Sequence, residues 1–543
     1  MEEWSRRSWL VLALLSSPVM PASARPGMIC GEIGHRELIL IFVGLALSVF
    51  LSALDETIVA VSAISIVSEF EAFDLYSWVS VSYLVCLIAF QPLYGKLSDI
   101  FGRRPAILFA ILVFFAGSTG CALASNIIVF LASRAIAGIA AGGLTGIAFI
   151  IVADLFPLEE RPKYQSILMS GHGIACVLGP VLGGVFTKRL TWRWCFWINI
   201  PICLVTLVII AAFLRIPRPE GSMREGLKKV DFAGSLTLVS AVGCLMIPVS
   251  LGGNYWAWAS WPVICLFVAG VASLALFLAV EHSYAENPII PLRLLKNVNL
   301  VRAWMTLFFY GMAFFTAMYY LPVWFEVVEA YSAEMTGVQL VPFLVGHISA
   351  GLFFAQFRQF ATRLRFTTPL RVMVHVGCLI FILGAALRVT VINRSTPKIV
   401  ELAILLLFGL GAGLTLQTSF VSAQAAVPSE DLAIANSLSV FFENLGGAIG
   451  LSVSATVNRV DLAKRFSRIP SSVVSADILS AIGRNPSLIS RPGLLSDAAR
   501  ELVVQQFAGS LRLTFGVSVV FAMLAYVSVL ALRHRVRGDS ARP

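Results

Sequence analysis

The chain has 543 residues, 58% of them hydrophobic and only 13% charged, with a formal net charge of +10. Soluble domains average about 25% charged residues, so a water-soluble globule is excluded. The positive balance follows membrane topology and calls for no nucleic-acid partner.

Hydrophobic residues come in blocks of about 18–25, the length that crosses a hydrocarbon core of about 30 Å as helix. The period-2 alternation of an outer-membrane barrel is absent, and helices are the other way to satisfy every backbone group in lipid. The chain therefore reads as an all-α polytopic membrane protein. Spans are predicted at 38–66, 76–95, 106–124, 127–152, 164–187, 195–214, 231–251, 261–281, 301–324, 336–357, 370–392, 399–420, 432–457 and 511–532, fourteen in all.

In chain order, residues 1–37 form a cytoplasmic N-terminal segment. Within it, "RRSWLVLALLSSPVMPASA" has the basic start, short apolar core and Ala22-Ser23-Ala24 end of a signal peptide. Cleavage there would invert every later loop against the charge bias, so an uncleaved interfacial stretch is expected. Span 1 carries adjacent acids, Asp55 and Glu56, although a charged Asp at a bilayer centre costs about 2.5–3.5 kcal/mol on insertion scales. Neighbouring helical positions point about 100° apart, so the two carboxylates face different surroundings.

Between spans 2 and 3, "GKLSDIFGRRPAI" sets Gly95, where a close turn at the helix end is expected, beside a charge cluster of Asp99, Arg103 and Arg104, with Gly102. Arg134 stands in span 4 ahead of Gly138, Gly142 and Gly143. Guanidinium keeps its proton, so it needs a partner or water, and the glycines leave room between helices. In span 5, Gly179-Pro180 with Gly183 and Gly184 predicts a kinked, flat face, and His172 just upstream can titrate. In span 9, Tyr310, Phe314, Tyr319, Tyr320 and Trp324 are candidates to line a cavity for flat apolar compounds, as are Gln417 of span 12 and Gln424 just beyond it. The sequon at Asn393 lies outside, close enough to the bilayer to be a poor glycosylation acceptor. Glu443 in span 13 is an intramembrane acid and a candidate for substrate charge preference or a second proton site. A long extracellular connection, 458–510, and a cytoplasmic tail, 533–543, complete the chain.

Orientation follows Lys and Arg. With a cytoplasmic N-terminus, the inside loops hold Lys96, Arg103, Arg104, Arg161, Lys163, Arg215, Lys228, Lys229 and Arg293 among others, while short outside loops hold few basic residues, such as Lys188 and Arg193. The nine cysteines show no metal spacing, and no G-x-x-x-x-G-K-[ST] nucleotide loop is present. No cofactor is expected, and energy would come from an ion gradient.

The loop pattern G-x-L-x-D-x-x-G-R-R resembles the signature of the major facilitator superfamily. "RAIAGIAAGG" resembles its span-4 motif, "GHGIACVLGPVLGG" its antiporter motif and "WRWCFWINIP" the start of span 6. "NPIIPLRLLKN", "YYLPVWFEVV" and "AAVPSEDLAIANSLSVFFENLGGAIG" are similar to the fourteen-span drug:proton antiporters, especially fungal ones. The corresponding loop of the C-terminal half, "GLFFAQFRQFATRLRF", departs from the signature in lacking the Asp.

The resemblance implies a major facilitator fold: an N-terminal six-helix half (38–214), a two-helix insert with flanking loops (215–300) and a C-terminal six-helix half (301–532). It implies proton coupling at Asp55 with Arg134 and Glu56, since the family motif L-D-x-T places Asp at this position, and docking of Asp99 near Ser429 and Asp431 at the cytoplasmic gate. The expected protein is no enzyme. It is a proton-coupled exporter of hydrophobic or amphipathic small molecules, monomeric, in the plasma membrane. The alternatives are an importer or vacuolar carrier of siderophores or basic amino acids, and a non-transporting nutrient sensor.

Overall fold

A computed structural model describes residues 34–530 except 73–74, 77, 159, 217–222, 253–255, 284–287, 364–368, 394–395, 471–472, 485–487 and 490–493. The signal-like segment before residue 34 and the tail 533–543 lie outside the described residues. The first half consists of α1 (His35–Glu69), α2 (Trp78–Phe101), α3 (Arg103–Ala122), α4 (Ile127–Leu155), α5 (Arg161–Arg189) and α6 (Asn199–Phe213, after one turn Trp194–Trp197). The insert is α7 (Phe232–Leu251) and α8 (Trp261–Ser283). The second half is α9 (Val298–Val323), α10 (Ala333–Arg363), α11 (Pro369–Thr390), α12 (Lys398–Ala425), α13 (Leu432–Phe466) and α14 (Asp497–Leu530).

Thirteen helices among the described residues are long and apolar enough to cross a membrane, against fourteen expected spans. The tenth, α10, is a 31-residue helix whose side chains are described only in part. Helix starts obey local chemistry. Asn126 accepts from the Val129 N–H at 2.9 Å, and Asp231 from the Gly234 N–H at 2.7 Å, satisfying donors that have no partner within their own helix. Gly102 separates α2 from α3 with φ at 92°, a conformation that side chains with a Cβ disfavour. At its outer end, α9 widens into a π-helical turn, Trp324–Val328, just after Pro322.

The halves meet where α2 lies along α13 and α5 along α10. The insert is peripheral: α7 packs on α2 and α13, and α8 packs on α7 with Trp261, Val268 and Val271 exposed. Within the first half, α4 lies against α2 because Gly142 leaves a gap that the Leu87 carbonyl fills. A Cβ there would stand 2.7 Å from that oxygen.

Two local expectations are corrected. Gly95 lies inside α2 rather than at a turn. Its missing side chain admits Ser437 and Ala433 of α13, the Ser437 Cβ lying 2.8 Å from where a Cβ would stand. The connection expected at 458–510 is shorter, because α13 runs on to Phe466 and α14 begins at Asp497, with a short helix Ala476–Arg484 between them. Asp461 pairs with Arg465 one turn on, at 2.5 Å, and Leu462 and Phe466 share a buried cluster with Val503, Val504 and Phe507. Hydropathy ends before the helix does.

Gly142→Leu should overpack the α2–α4 contact and cost about 1–3 kcal/mol. The readout is a lowered unfolding temperature of the detergent-purified protein, and an unchanged one would contradict this packing.

Candidate functional site

The two adjacent acids of α1 part company. Asp55 turns into the first half, where it is 1% exposed and pairs with Arg134 of α4, itself 1% exposed. Asn199, at the start of α6, donates through Nδ2 to the other Asp55 oxygen at 3.0 Å and to Ser118 Oγ at 3.3 Å. Arg134 donates from Nε to the Val79 carbonyl at 3.1 Å, and its guanidinium lies 4.3 Å over the Tyr83 ring. The Tyr83 hydroxyl donates to the Ser52 carbonyl of α1 at 2.8 Å. Every charge in this cluster has a partner, which a charge pair in a low-dielectric interior requires.

Glu56, one residue on, faces the cavity between the halves. This space is lined from the first half by Ser52, Glu56, Thr145, Phe149, Met169 and His172, and from the second by Tyr310, Phe314, Phe343, His347, Glu443 and Asn444. One carboxylate thus comes from each half, and one histidine from each half. The Tyr310 hydroxyl and His347 Nδ1 are buried without a hydrogen-bond partner. Glu443 is brought there because the absent side chain of Gly311 lets α9 close on the backbone of α13 at that residue.

Toward the basic end of the bundle, cytoplasmic on the positive-inside reading, the halves are joined. Phe149 stacks on Phe420 at 5.0 Å between centroids. Arg161 at the start of α5 donates from Nη1 to Gln424 Oε1 at 3.0 Å, and Gln424 Nε2 donates to Asn436 Oδ1 at 2.8 Å. Asn444 Nδ2 donates to Gln91 Oε1 at 3.1 Å. At the opposite end each half is tied within itself. Glu69 accepts from Trp192 and Arg193, both at 2.6 Å, while Lys398 donates to Glu329 at 2.8 Å. Burial disfavours ionisation of Glu69, but those two donors outweigh it and hold its carboxyl below the ordinary range.

Several expected site residues stand elsewhere. Asp99 pairs with Arg103 at 2.5 Å, and Arg103 with Asp154 of α4 at 2.8 Å, while Asp431 pairs with Arg293 at 2.8 Å. The signature loop is therefore braced inside its own half, and Gly95 makes the contact across to α13. Arg104 donates to the Ala211 carbonyl of α6. Gln424 belongs to the cytoplasmic closure and not to the cavity, because Arg161 and Asn436 occupy its polar atoms. Gln417 is buried in the second half off the cavity, its side-chain oxygen and nitrogen unpartnered. Tyr319 is 55% exposed and points outward, and Tyr320 packs into the core of the second half. Gly179 and Gly183 receive Thr57 and Ile58 of α1, a Cβ on Gly183 falling 2.7 Å from the Ile58 carbonyl, whereas Gly184 faces open space and Pro180 sits within the helix. Asn393 follows α11 by three residues, and the rest of its sequon lies outside the described residues. Sequence reasoning missed Asn199, Tyr83, Asp154 and the bridging role of Arg161. An asparagine within the apolar start of α6 was the available signal for Asn199.

The sequence model of the Major Facilitator Superfamily matches residues 45–451. The chain is 34% identical to the efflux pump dotC of Dothistroma septosporum (strain NZE10 / CBS 128990) over 86% of its own length and 79% of that protein's. It is 30% identical to the MFS-type efflux pump MFS1 of Arthroderma benhamiae, over 93% of each. Its fold is similar to that of the human organic anion transporter MFSD10, with a TM-score of 0.54 at 17% identity, over 88% of this chain and 99% of that one.

Arg134→Met would leave Asp55 buried without its counter-charge, a change that costs about 3–5 kcal/mol. Thermal unfolding should show the drop, and the double variant Asp55→Asn/Arg134→Met should recover part of it. Gln424→Leu should free Arg161 and raise thiol labelling, from the cytoplasmic side, of a reporter cysteine placed at Ser166, which is buried on α5 against Gly351 of α10. Unaltered labelling would remove this bridge from the gate.

Proposed function

The chain belongs to the Major Facilitator Superfamily, and from that premise we propose that it is a proton-coupled exporter of hydrophobic or amphipathic small molecules, drugs or toxic metabolites, working by alternating access. The observation that carries the reading is the pair Glu56 and Glu443, facing one membrane-embedded cavity from opposite halves and without hydrogen-bond partners among the described residues. An unpaired carboxylate in such a place must be hydrated, bind a cation or take up a proton. Loss of water as the cavity closes favours the protonated form; an arriving donor or cation favours release. Proton and cargo thereby compete for the same carboxylates, which is the requirement for exchange.

Asp55 and Arg134 have a different part in this reading. Their charges are satisfied by each other and by Asn199, so the pair holds α1, α4 and α6 in register and fixes the direction of Glu56. The proton enters at Glu56, and Asp55 follows only if the pair opens. The apolar walls, with Phe149, Phe314 and Phe343 among them, suit an aromatic or aliphatic cargo body. Closure by Arg161–Gln424 at the basic end supports a cavity that empties to the other side. The relatives' names as efflux pumps support export over import, and export of this kind would act at the plasma membrane. All elements of the cavity come from one chain, so a monomer suffices.

In proteoliposomes with an acidic interior, a lipophilic fluorescent dye should accumulate against its gradient. Glu56→Gln should cut that accumulation at least ~10-fold, equivalent to about 1.4 kcal/mol of driving force, while downhill dye exchange persists. Uphill accumulation indifferent to the imposed pH difference would overturn proton coupling.

A further inference from the structure

A second, smaller cavity lies in the outer part of the second half and shares none of the central one's lining residues. It lies between α9, α11, α12 and α14, leaves room for about one water-sized guest, and is lined by Leu321, Trp324, Arg388, Ile392, Glu401 and Phe515. Arg388 is 3% exposed, and its Nε, Nη1 and Nη2 all lack an acceptor. Its guanidinium is packed 3.3 Å over the Phe515 ring, with Phe408 at 5.7 Å. Trp324 Nε1–H is likewise buried and unused. Guanidinium stays protonated in a protein, and a buried charge without a counter-charge is strongly unfavourable.

The nearby carboxylates are already engaged. Glu329 and Glu401 both accept from Lys398, at 2.8 and 3.1 Å. Around this cavity, four nitrogens bearing N–H groups are without acceptors, against two lone acceptor atoms, Glu401 Oε1 and Glu329 Oε1. A donor-rich, cationic, apolar-walled space of this size is complementary to a compact acceptor with no donors of its own.

We propose that this cavity is a binding site for a small inorganic anion of halide size, held by the Arg388 guanidinium and the Trp324 N–H. Glu401 sets the condition. Arg388 and Lys398 supply two positive charges, Glu329 and Glu401 two negative ones, and α14 faces the cavity with the uncharged Phe515. An anion therefore enters without excess charge only together with one proton, taken up by Glu401, whose O–H then donates to the anion. Bound, the anion ties α9, α11 and α12 together at their outer ends.

The test is the unfolding temperature of the detergent-purified chain in sodium chloride against sodium gluconate at equal ionic strength. A ligand that binds only the folded state stabilises with the logarithm of its concentration. Chloride should raise the unfolding temperature over gluconate, more at mildly acidic than at neutral pH. Arg388→Met should lose the difference, and Glu401→Gln should keep it and lose its pH dependence, because the amide donates at any pH. Equal unfolding temperatures in both salts, or a difference that survives Arg388→Met, would overturn the proposal and leave a water bridging Arg388 to Glu401 as the occupant. If Arg388→Met fails to fold, bromide decides: an anomalous peak in this cavity of wild-type crystals supports the site, and its absence refutes it.

Discussion

A charge inside a membrane protein has to be matched by an opposite charge or kept wet, and the architecture of this chain is arranged around that constraint. On α1 it is solved in both ways within two residues. Asp55 is sealed against Arg134 and Asn199 in the wall of one half. Glu56 is left facing a space that can hold water or cargo. The backbone does the sorting, since consecutive helical side chains diverge by about 100°. A rigid charge pair behind the wall and a labile acid in front of it are separated by one peptide bond.

The same logic distributes stiffness and mobility. Each half is internally braced by charge pairs and by glycine gaps that receive backbone from the next helix, as at Gly142 on α4 and Gly183 on α5. Among the described residues, the side-chain bonds between the halves are neutral at one partner or at both: Arg161 to the Gln424 amide and the Asn444 amide to the Gln91 amide. A hydrogen bond of this kind contributes about 0.5–3 kcal/mol net, far less than breaking a buried ion pair costs. Halves held together this way are separable without disturbing either interior.

Helix positions and class were legible because lipid leaves the backbone few choices, so apolar block length nearly dictates the element. The end of α13 was not, since beyond residue 457 it continues as helix with Leu462 and Phe466 packed into the cluster it shares with α14, which hydropathy does not register. Asp55 and Arg134 could each be recognised as expensive residues needing partners, and the structure supplies the pairing that spacing alone left open. Asn199 and Arg161 were harder, because their partners lie 144 and 263 residues away and nothing local announces them. Tyr319 and Gln424 were misassigned for a common reason. Residue type says what a side chain can bind, while helix phase decides what it meets.

The Asp55–Arg134–Asn199 cluster is complete once α6 has been made. It therefore can assemble while more than half of the polypeptide is still untranslated. Glu56 has no such early resolution, for the wall opposite it includes Tyr310, His347 and Glu443. Throughout that interval the nascent first half presents a carboxylate to whatever covers its open side, bilayer or insertion machinery. Biogenesis of this chain thus has an exposed moment built into it, and the residue that leaves it exposed is the one that faces the cavity between the halves in the finished protein.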